Sequence, residues 1–358
     1  MRRGLSVLPG RSRQAGEQLE RLPEEHLVQP LSELAIPVPR RIGVLCNPNS
    51  GRNRRHLRQV REEAKRLPGA IYREAVYPAE TAGSLRDLLA SDVELLVING
   101  GDGTLQAALT WLLGPEGPDE GKMPPLAVIA GGTTNMTAAD IGARAAPRQA
   151  LRAVGAWLAR AGGGPSCTER PVLQLEPAPD RPPLYGMFFG AGAIHTGVEF
   201  FHRRIAALGT GGTIGPGLAC ARLLFSLAWP AQTRVQPVRL TLRLDDDTAQ
   251  AGDYLLILVS ALERLLLGSK PYWGREPASL HYTAIRHRPG RLLRSLPAVL
   301  RGGTRPPREQ DGYVSHNIHT LMLDFDGGFV LDGECFQAER KQGPLRLSLG
   351  ARMTFLSF

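Results

Sequence analysis

Three glycines surround one carboxylate at Gly100-Gly101-Asp102-Gly103-Thr104, directly after the apolar run Leu-Leu-Val-Ile-Asn (95–99) and directly before a helical pattern. A strand that stops at glycines and opens a helix presents free backbone N–H groups, a geometry that favours a phosphate. The glycines allow close backbone approach and φ > 0. A carboxylate repels phosphate, so Asp102 makes sense if it acts through a bound cation or water, or caps the following helix. Thr104 can donate to a phosphate oxygen or cap. A helix-capping turn with no ligand is the plainer account of the same five residues. Two familiar phosphate motifs are excluded. No lysine stands where GxxxxGK[ST] requires one, and Gln106 occupies the third glycine of a dinucleotide fingerprint.

Two further loops share this design. Asn47-Pro48-Asn49-Ser50-Gly51 ends the run Ile42–Cys46, and Gly131-Gly132-Thr133-Thr134-Asn135 ends the run Leu126–Ala130. Each alone reads as an ordinary turn. Together they would line the carboxyl edge of one parallel sheet, where ligands bind in such folds. Late in the chain stands Asp332-Gly333-Glu334. On a strand it would put two carboxylates on one face with space between them. By itself, Asp-Gly is also a strong hairpin signal.

The elements that must hold these loops follow from periodicity. Apolar strands alternate with helical patterns (Leu57, Val60, Ala64, Leu67; then Leu105, Ala108, Leu109, Leu112; then 147–161) over residues 42–161. That alternation predicts a mostly parallel sheet with helices on both faces. Beyond it, short alternating runs (238–244, 253–260, 280–285, 318–325, 329–334, 345–349) predict an antiparallel, sandwich-like β-rich domain, with helices inserted at 217–229 and 289–303. Pro297 is expected to split the second insert into two pieces. The division is thus a tail over 1–40 with one short helix at 14–22, an α/β domain over 41–163 and a β-rich domain over 164–358.

The formal net charge is +9, and seven arginines between Ile285 and Gln310 face one acid, Glu309, in that stretch. Such a charge suits an anionic partner. No basic motif interleaved with aromatics points to nucleic acid. The four cysteines, Cys46, Cys167, Cys220 and Cys335, show no CxxC spacing, which suits a reducing compartment. The start Met-Arg-Arg-Gly-Leu lacks the apolar core of a secretory signal, and no apolar run reaches membrane-spanning length. The histidines show no metal-ligand spacing, although His195 follows a glycine-rich strand end that would face the cleft.

The combination of NPNSG, GGDGT, GGTTN and DGE resembles the diacylglycerol kinase catalytic-domain family, whose wider superfamily includes NAD kinases, over roughly residues 41–358. The resemblance implies a lipid kinase that moves the γ-phosphoryl group of ATP to a lipid hydroxyl such as that of diacylglycerol. It implies ATP contacts at Asn47, Ser50, Gly100, Gly101, Asp102, Gly103, Thr104, Thr133 and Asn135, with Mg2+ held at Asp102 through water. Asp332 and Glu334 match the catalytic carboxylates. Phosphoryl transfer to an alcohol needs such a proton acceptor in line with the phosphate. A lipid acceptor implies a cytoplasmic enzyme working on the inner face of a membrane, with the arginine stretch, Tyr272 and Trp273 as its docking surface. Pairing into a homodimer is left open, and no nucleic-acid partner is expected. Departures are Ala130-Gly131 and Met136 around the third loop, Tyr77 in place of the family's threonine, and Glu276-Pro277 where bacterial members carry a structural magnesium-binding Asp-Gly. A kinase of a soluble substrate such as NAD, and a non-catalytic lipid-binding member of the fold, are the competing readings.

Overall fold

The computed structural model describes residues 36–178, 180–207, 237–302 and 306–358, with Glu120 and 201–207 described by backbone alone. The expected helices at 14–22 and 217–229, Cys220 and Arg305 lie outside the described residues. All fifteen described strands join one hydrogen-bonded sheet.

Its parallel part runs β2 (Ala70–Glu74), β1 (Ile42–Cys46), β3 (Leu95–Gly100), β4 (Leu126–Ala130). The alternation of side chains along each strand feeds two cores. Ile42, Val44, Leu95 and Val97 face one core with Val60 and Ala64 of α2 (Leu57–Lys65) and with Leu151, Val154 and Trp157 of α6 (Pro147–Leu158). Leu45, Leu96 and Ile98 face the other, with Leu85 and Leu88 of α3 (Pro78–Leu89) and Leu105, Leu109 and Leu112 of α4 (Asp102–Leu112). Burial on both faces is why these strands read as unbroken apolar runs. Two short helices, α1 (Gly51–Arg55) and α5 (Met136–Asp140), follow the first and third loops.

The second part is antiparallel. Its strands are β5 (Ser166–Glu176), β6 (Leu184–Gly186), β7 (Phe188–Gly192), β8 (Val238–Leu244), β9 (Gln250–Ser260), β10 (Leu280–Arg286), β11 (Tyr313–Ile318), β12 (Thr320–Asp324), β13 (Gly327–Leu331), β14 (Glu334–Ala338) and β15 (Leu345–Ser357). β15 continues eight residues past the expected run and joins the two parts. It pairs with β5 along both strands, and at its end it lies parallel to β4, with Phe355 opposite Leu126. Phe358 then meets Trp157 with ring centroids 5.5 Å apart. A bulge at Leu349–Ala351 interrupts the β5 pairing before β15 reaches β4.

Helix α7 (Ala193–Ala207) follows β7, and α8 (Leu292–Arg301) lies in the connection between β10 and β11. α8 is one helix with Pro297 inside it, not two pieces. Pro297 lacks only the N–H that would reach the carbonyl of Leu293, and Leu293 is exposed, so water can satisfy that carbonyl.

Candidate active site

The parallel register brings all three loops to one edge. Cys46 pairs with Asn99, and Gly100 with Ala130, so the chain leaves β1, β3 and β4 at the same level. The loops then lock together through their smallest residues. A side chain on Gly132 would strike the Cα of Gly101, one on Gly51 would strike the hydroxyl of Thr133, and one on Gly100 would strike Thr104. None of Gly100, Gly101 and Gly103 has positive φ. These glycines serve close approach, and the expectation of left-handed backbone there is corrected.

Asp102 opens α4, but its carboxylate serves another helix. Met136 N–H donates to Oδ2 at 3.1 Å and Thr137 N–H to Oδ1 at 3.2 Å, so Asp102 caps α5 across the loop junction. Burial raises its pKa, and the Met136 and Thr137 amides work against that rise. Asn135 sits at φ 52 and spends both ends of its amide on the backbone of Gly132, at 2.8 Å each way, bracing the third loop. Asn47 donates to the Thr104 hydroxyl at 3.0 Å and accepts from Asn49 N–H at 2.9 Å, tying the first loop to the second. Ser50 precedes α1 without a side-chain capping bond, and Thr133 is exposed. With Leu105 N–H bonded back to Gly101, the N–H groups of Asp102, Gly103 and Thr104 form the open end of α4.

Asp332 and Glu334 do not share a strand face. Leu331 pairs with Glu334, and Asp332 (φ 49) and Gly333 (φ 91) form the two-residue hairpin turn between β13 and β14. Asp332 is buried and accepts from Met187 N–H at 2.8 Å and Phe188 N–H at 2.9 Å. Burial, and then the nearby Asp102, push its pKa well up. A side chain on Gly186 would strike it. Glu334 is exposed, and its carboxylate lies over Gly103, where a Cβ would collide with Oε1. The hairpin thus delivers one carboxylate onto the glycine loop and pins the other in the β-rich core.

The charge balance fits a divalent cation. The Asp102 charge disfavours ionisation of Asp332, burial disfavours it in both, and the groups that favour ionisation of either are backbone amides. Asp102 lies at the junction of the second and third loops, where a hydrated cation bound beside the phosphates would meet its carboxylate. Among the described residues, no cluster of three or more His, Cys, Asp or Glu forms a ready-made metal cage.

Three residues of this framework carry no recognisable signal in the sequence. Asn53 of α1 is fully buried and donates to the carbonyls of Asn47 at 2.9 Å and Asn99 at 3.2 Å, while its N–H meets Gly131 O at 3.3 Å. Asn99 is equally buried, and a side chain on Gly131 would strike the amides of both asparagines. The only hint was a polar residue closing an apolar strand. Asp140, at the end of α5, has a fully buried side chain that accepts from Arg170 Nε at 2.8 Å and from Arg264 N–H at 2.8 Å. It clamps the third loop's helix to the β-rich part through residues far apart in sequence.

Other expected positions fall elsewhere. His195 lies over Gly328, at the other end of β13 from the hairpin, and lines a separate cavity of about 450 Å³ with Arg239, Asp326 and Arg340. Glu276 accepts from Asn317 N–H at 2.8 Å and pairs with His316 at 2.7 Å. Burial opposes its ionisation, but those two partners outweigh it and hold Glu276 down at about 2. Tyr272 stacks on His281 with centroids 4.4 Å apart and its hydroxyl buried, and Trp273 packs against Leu255 and Val299. The two aromatics expected at a docking surface are therefore occupied by the protein itself. Tyr77 is 65% exposed beyond the carboxyl end of β2.

Comparison with known proteins agrees with this geometry. Residues 41–161 match the model of the diacylglycerol kinase catalytic domain. No curated protein sequence matches the chain. A crystal structure of a diacylglycerol kinase from Bacillus anthracis str. Sterne superposes with a TM-score of 0.56 at 14% identity, over 90% of this chain and 98% of that one. Two further structures from that organism give 0.58 and 0.59 at 15% and 16% identity, over 90% of this chain and 99% of theirs. At such identity the superpositions establish a shared fold.

Proposed function

We propose that this chain, whose residues 41–161 carry the diacylglycerol kinase catalytic domain, transfers the γ-phosphoryl group of ATP to the hydroxyl of a membrane lipid such as diacylglycerol. One observation carries the reading: the exposed carboxylate of Glu334, from the β-rich part, lies over Gly103 of the phosphate loop. A phosphate at the open N-terminus of α4 would have that carboxylate beside it, where an attacking hydroxyl must lose its proton.

The residues divide the work. The N–H groups of Gly103 and Thr104 and the hydroxyls of Ser50 and Thr133 receive the phosphates. Asn47, Asn53 and Asn135 hold the three loops in register through the bonds described above, and Asn99 adds an amide contact to the Cys46 sulfur at 3.6 Å. Asp102 fixes α5 and is the carboxylate that would stand beside a hydrated magnesium ion. Magnesium, when bound, neutralises phosphate charge. Glu334 accepts the hydroxyl proton. Asp332, with each carboxylate oxygen held by an amide, sets the hairpin that aims Glu334 and is a positioning residue. The acceptor reaches the cleft from a bilayer, which makes the membrane surface a partner.

The test is transfer of labelled phosphate from ATP to a panel of acceptors: diacylglycerol, monoacylglycerol, sphingosine, ceramide, phosphatidylglycerol and NAD. A labelled lipid supports the reading. Labelled NAD with no labelled lipid replaces it with a soluble-substrate kinase.

A further inference from the structure

Nothing in the phosphate chemistry uses the arginine-rich connection between β10 and β11. There, α8 turns Leu292 and Val299 inward against Leu255, Ile285 and Tyr313. Its exposed residues are Leu293, Arg294, Pro297 and Arg301. At 3.6 residues per turn these four share one arc of about 100°. Leu293 is 58% exposed. The far end of α8 adjoins a tight turn, Leu266–Gly268, because Lys270 N–H donates to the Leu300 carbonyl at 2.8 Å. In that turn Leu267 is 77% exposed and stands at φ 57, a left-handed conformation that leucine rarely adopts. Lys270 follows the turn, Arg288 and Arg291 lie just before α8, and Arg294 and Arg301 lie on it. Among the described residues none of the five forms a salt bridge, whereas arginines elsewhere on the surface do so repeatedly.

We infer that the Leu266–Gly268 turn and the outward face of α8 form a docking surface for an anionic lipid bilayer, with Leu267 and Leu293 entering the boundary between headgroups and acyl chains. The inference takes its substrate context from the lipid-kinase reading, but the surface itself rests on the exposed leucines and the unpaired cations. Guanidinium groups flanking apolar side chains match the layering of a bilayer surface, anionic headgroup above hydrocarbon. A single-stranded nucleic acid would call for exposed aromatics to stack on its bases, and the protruding groups here are leucines. No helix among the described residues is long and apolar enough to cross a membrane. Placement suits the substrate. The loop that carries the turn is bonded to the third phosphate loop's helix, Arg264 N–H to Asp140 Oδ1 at 2.8 Å, so docking holds the bilayer near the cleft.

The test is co-sedimentation of the full chain with phosphatidylcholine vesicles, with and without phosphatidylglycerol, run beside phosphorylation of a short-chain diacylglycerol free in solution. Wild type should bind the anionic vesicles and come off in high salt. Leu267→Asn with Leu293→Gln should weaken that binding about tenfold or more, and asparagine tolerates the left-handed turn. Arg291→Gln with Arg294→Gln should also weaken it more than tenfold, at about fivefold per charge. Both double variants should phosphorylate the dissolved substrate as wild type does. Unchanged vesicle binding in both variants, equal wild-type binding to neutral and anionic vesicles, or preference for a single-stranded oligonucleotide overturns the docking surface. Normal vesicle binding without transfer to any lipid alcohol of the acceptor panel supports the surface and removes the lipid-kinase reading instead.

Discussion

Replacing Asp102 by alanine should damage stability and catalysis together, because the carboxylate does two jobs. It caps the Met136 and Thr137 amides of α5, and it sits at the junction where phosphates would bind. Removing it leaves two N–H groups without their acceptors, at about 1–3 kcal/mol each where they stay dry. Burial of the charge opposes this loss, as the raised pKa of Asp102 shows, so relief of that desolvation returns part of it. The net cost should be about 2 kcal/mol, similar to loss of a strong N-cap. In a protein of this size that is a fall of a few degrees in Tm. Asp102→Asn keeps one acceptor and sheds the charge, so it should unfold within about a degree or two of wild type. Turnover should drop about a hundredfold or more in both variants, on the scale of removing an electrostatic stabiliser. Thermal unfolding followed by calorimetry, beside steady-state phosphate transfer at saturating ATP, separates the two effects. An alanine variant with unchanged Tm would refute the capping role. An asparagine variant with near-normal turnover would refute the cation-linked role while leaving the cap in place.

Three further outcomes follow from neighbouring contacts. Gly132→Ala pushes a methyl group into Gly101 and Asn135, so it should cost about 1–3 kcal/mol and abolish ATP binding measured by calorimetric titration. Asp140→Ala strands the guanidinium of Arg170 and the amide of Arg264, which should lower stability by about 3 kcal/mol in chemical denaturation. Glu276 ionises near 2 in the folded chain, below its usual range, so its contribution is present above about pH 4.5 and disappears as pH falls toward 2. Glu276→Gln should therefore lower Tm at pH 6 and narrow its gap from wild type toward pH 2; a constant gap would exclude this linkage.

The parallel part was legible because its physics is local. An unbroken apolar run, a glycine cluster and a helical period each fit in a dozen residues, and parallel order alone carries three loops to one edge. The hairpin was less legible. Its two carboxylates look alike in Asp-Gly-Glu, and only positive φ at Asp332 and the amides of Met187 and Phe188 separate a buried anchor from an exposed base. Contacts between distant segments were hidden altogether. Asp140 needs Arg170 and Arg264, and Asn53 needs the ends of β1, β3 and β4. A glycine also misled. Gly350 bulges β15 without ending it, so the run expected to stop at Leu349 continues to Ser357. Tyr272 and Trp273 looked suited to a membrane surface by residue type, yet the partners of β10 and β11 cover them.

The central claim is that Glu334 takes a lipid hydroxyl proton beside the glycine loop. Its most direct measurement is transfer of γ-labelled phosphate from ATP to diacylglycerol by wild type and by Glu334→Gln, with ATP affinity measured on the same preparations. The account predicts labelled phosphatidic acid from wild type, a loss of about 10²–10⁴-fold in kcat for the glutamine variant, and ATP affinity changed by less than about threefold. A glutamine variant that turns over as fast as wild type, on whichever lipid alcohol wild type labels, contradicts it.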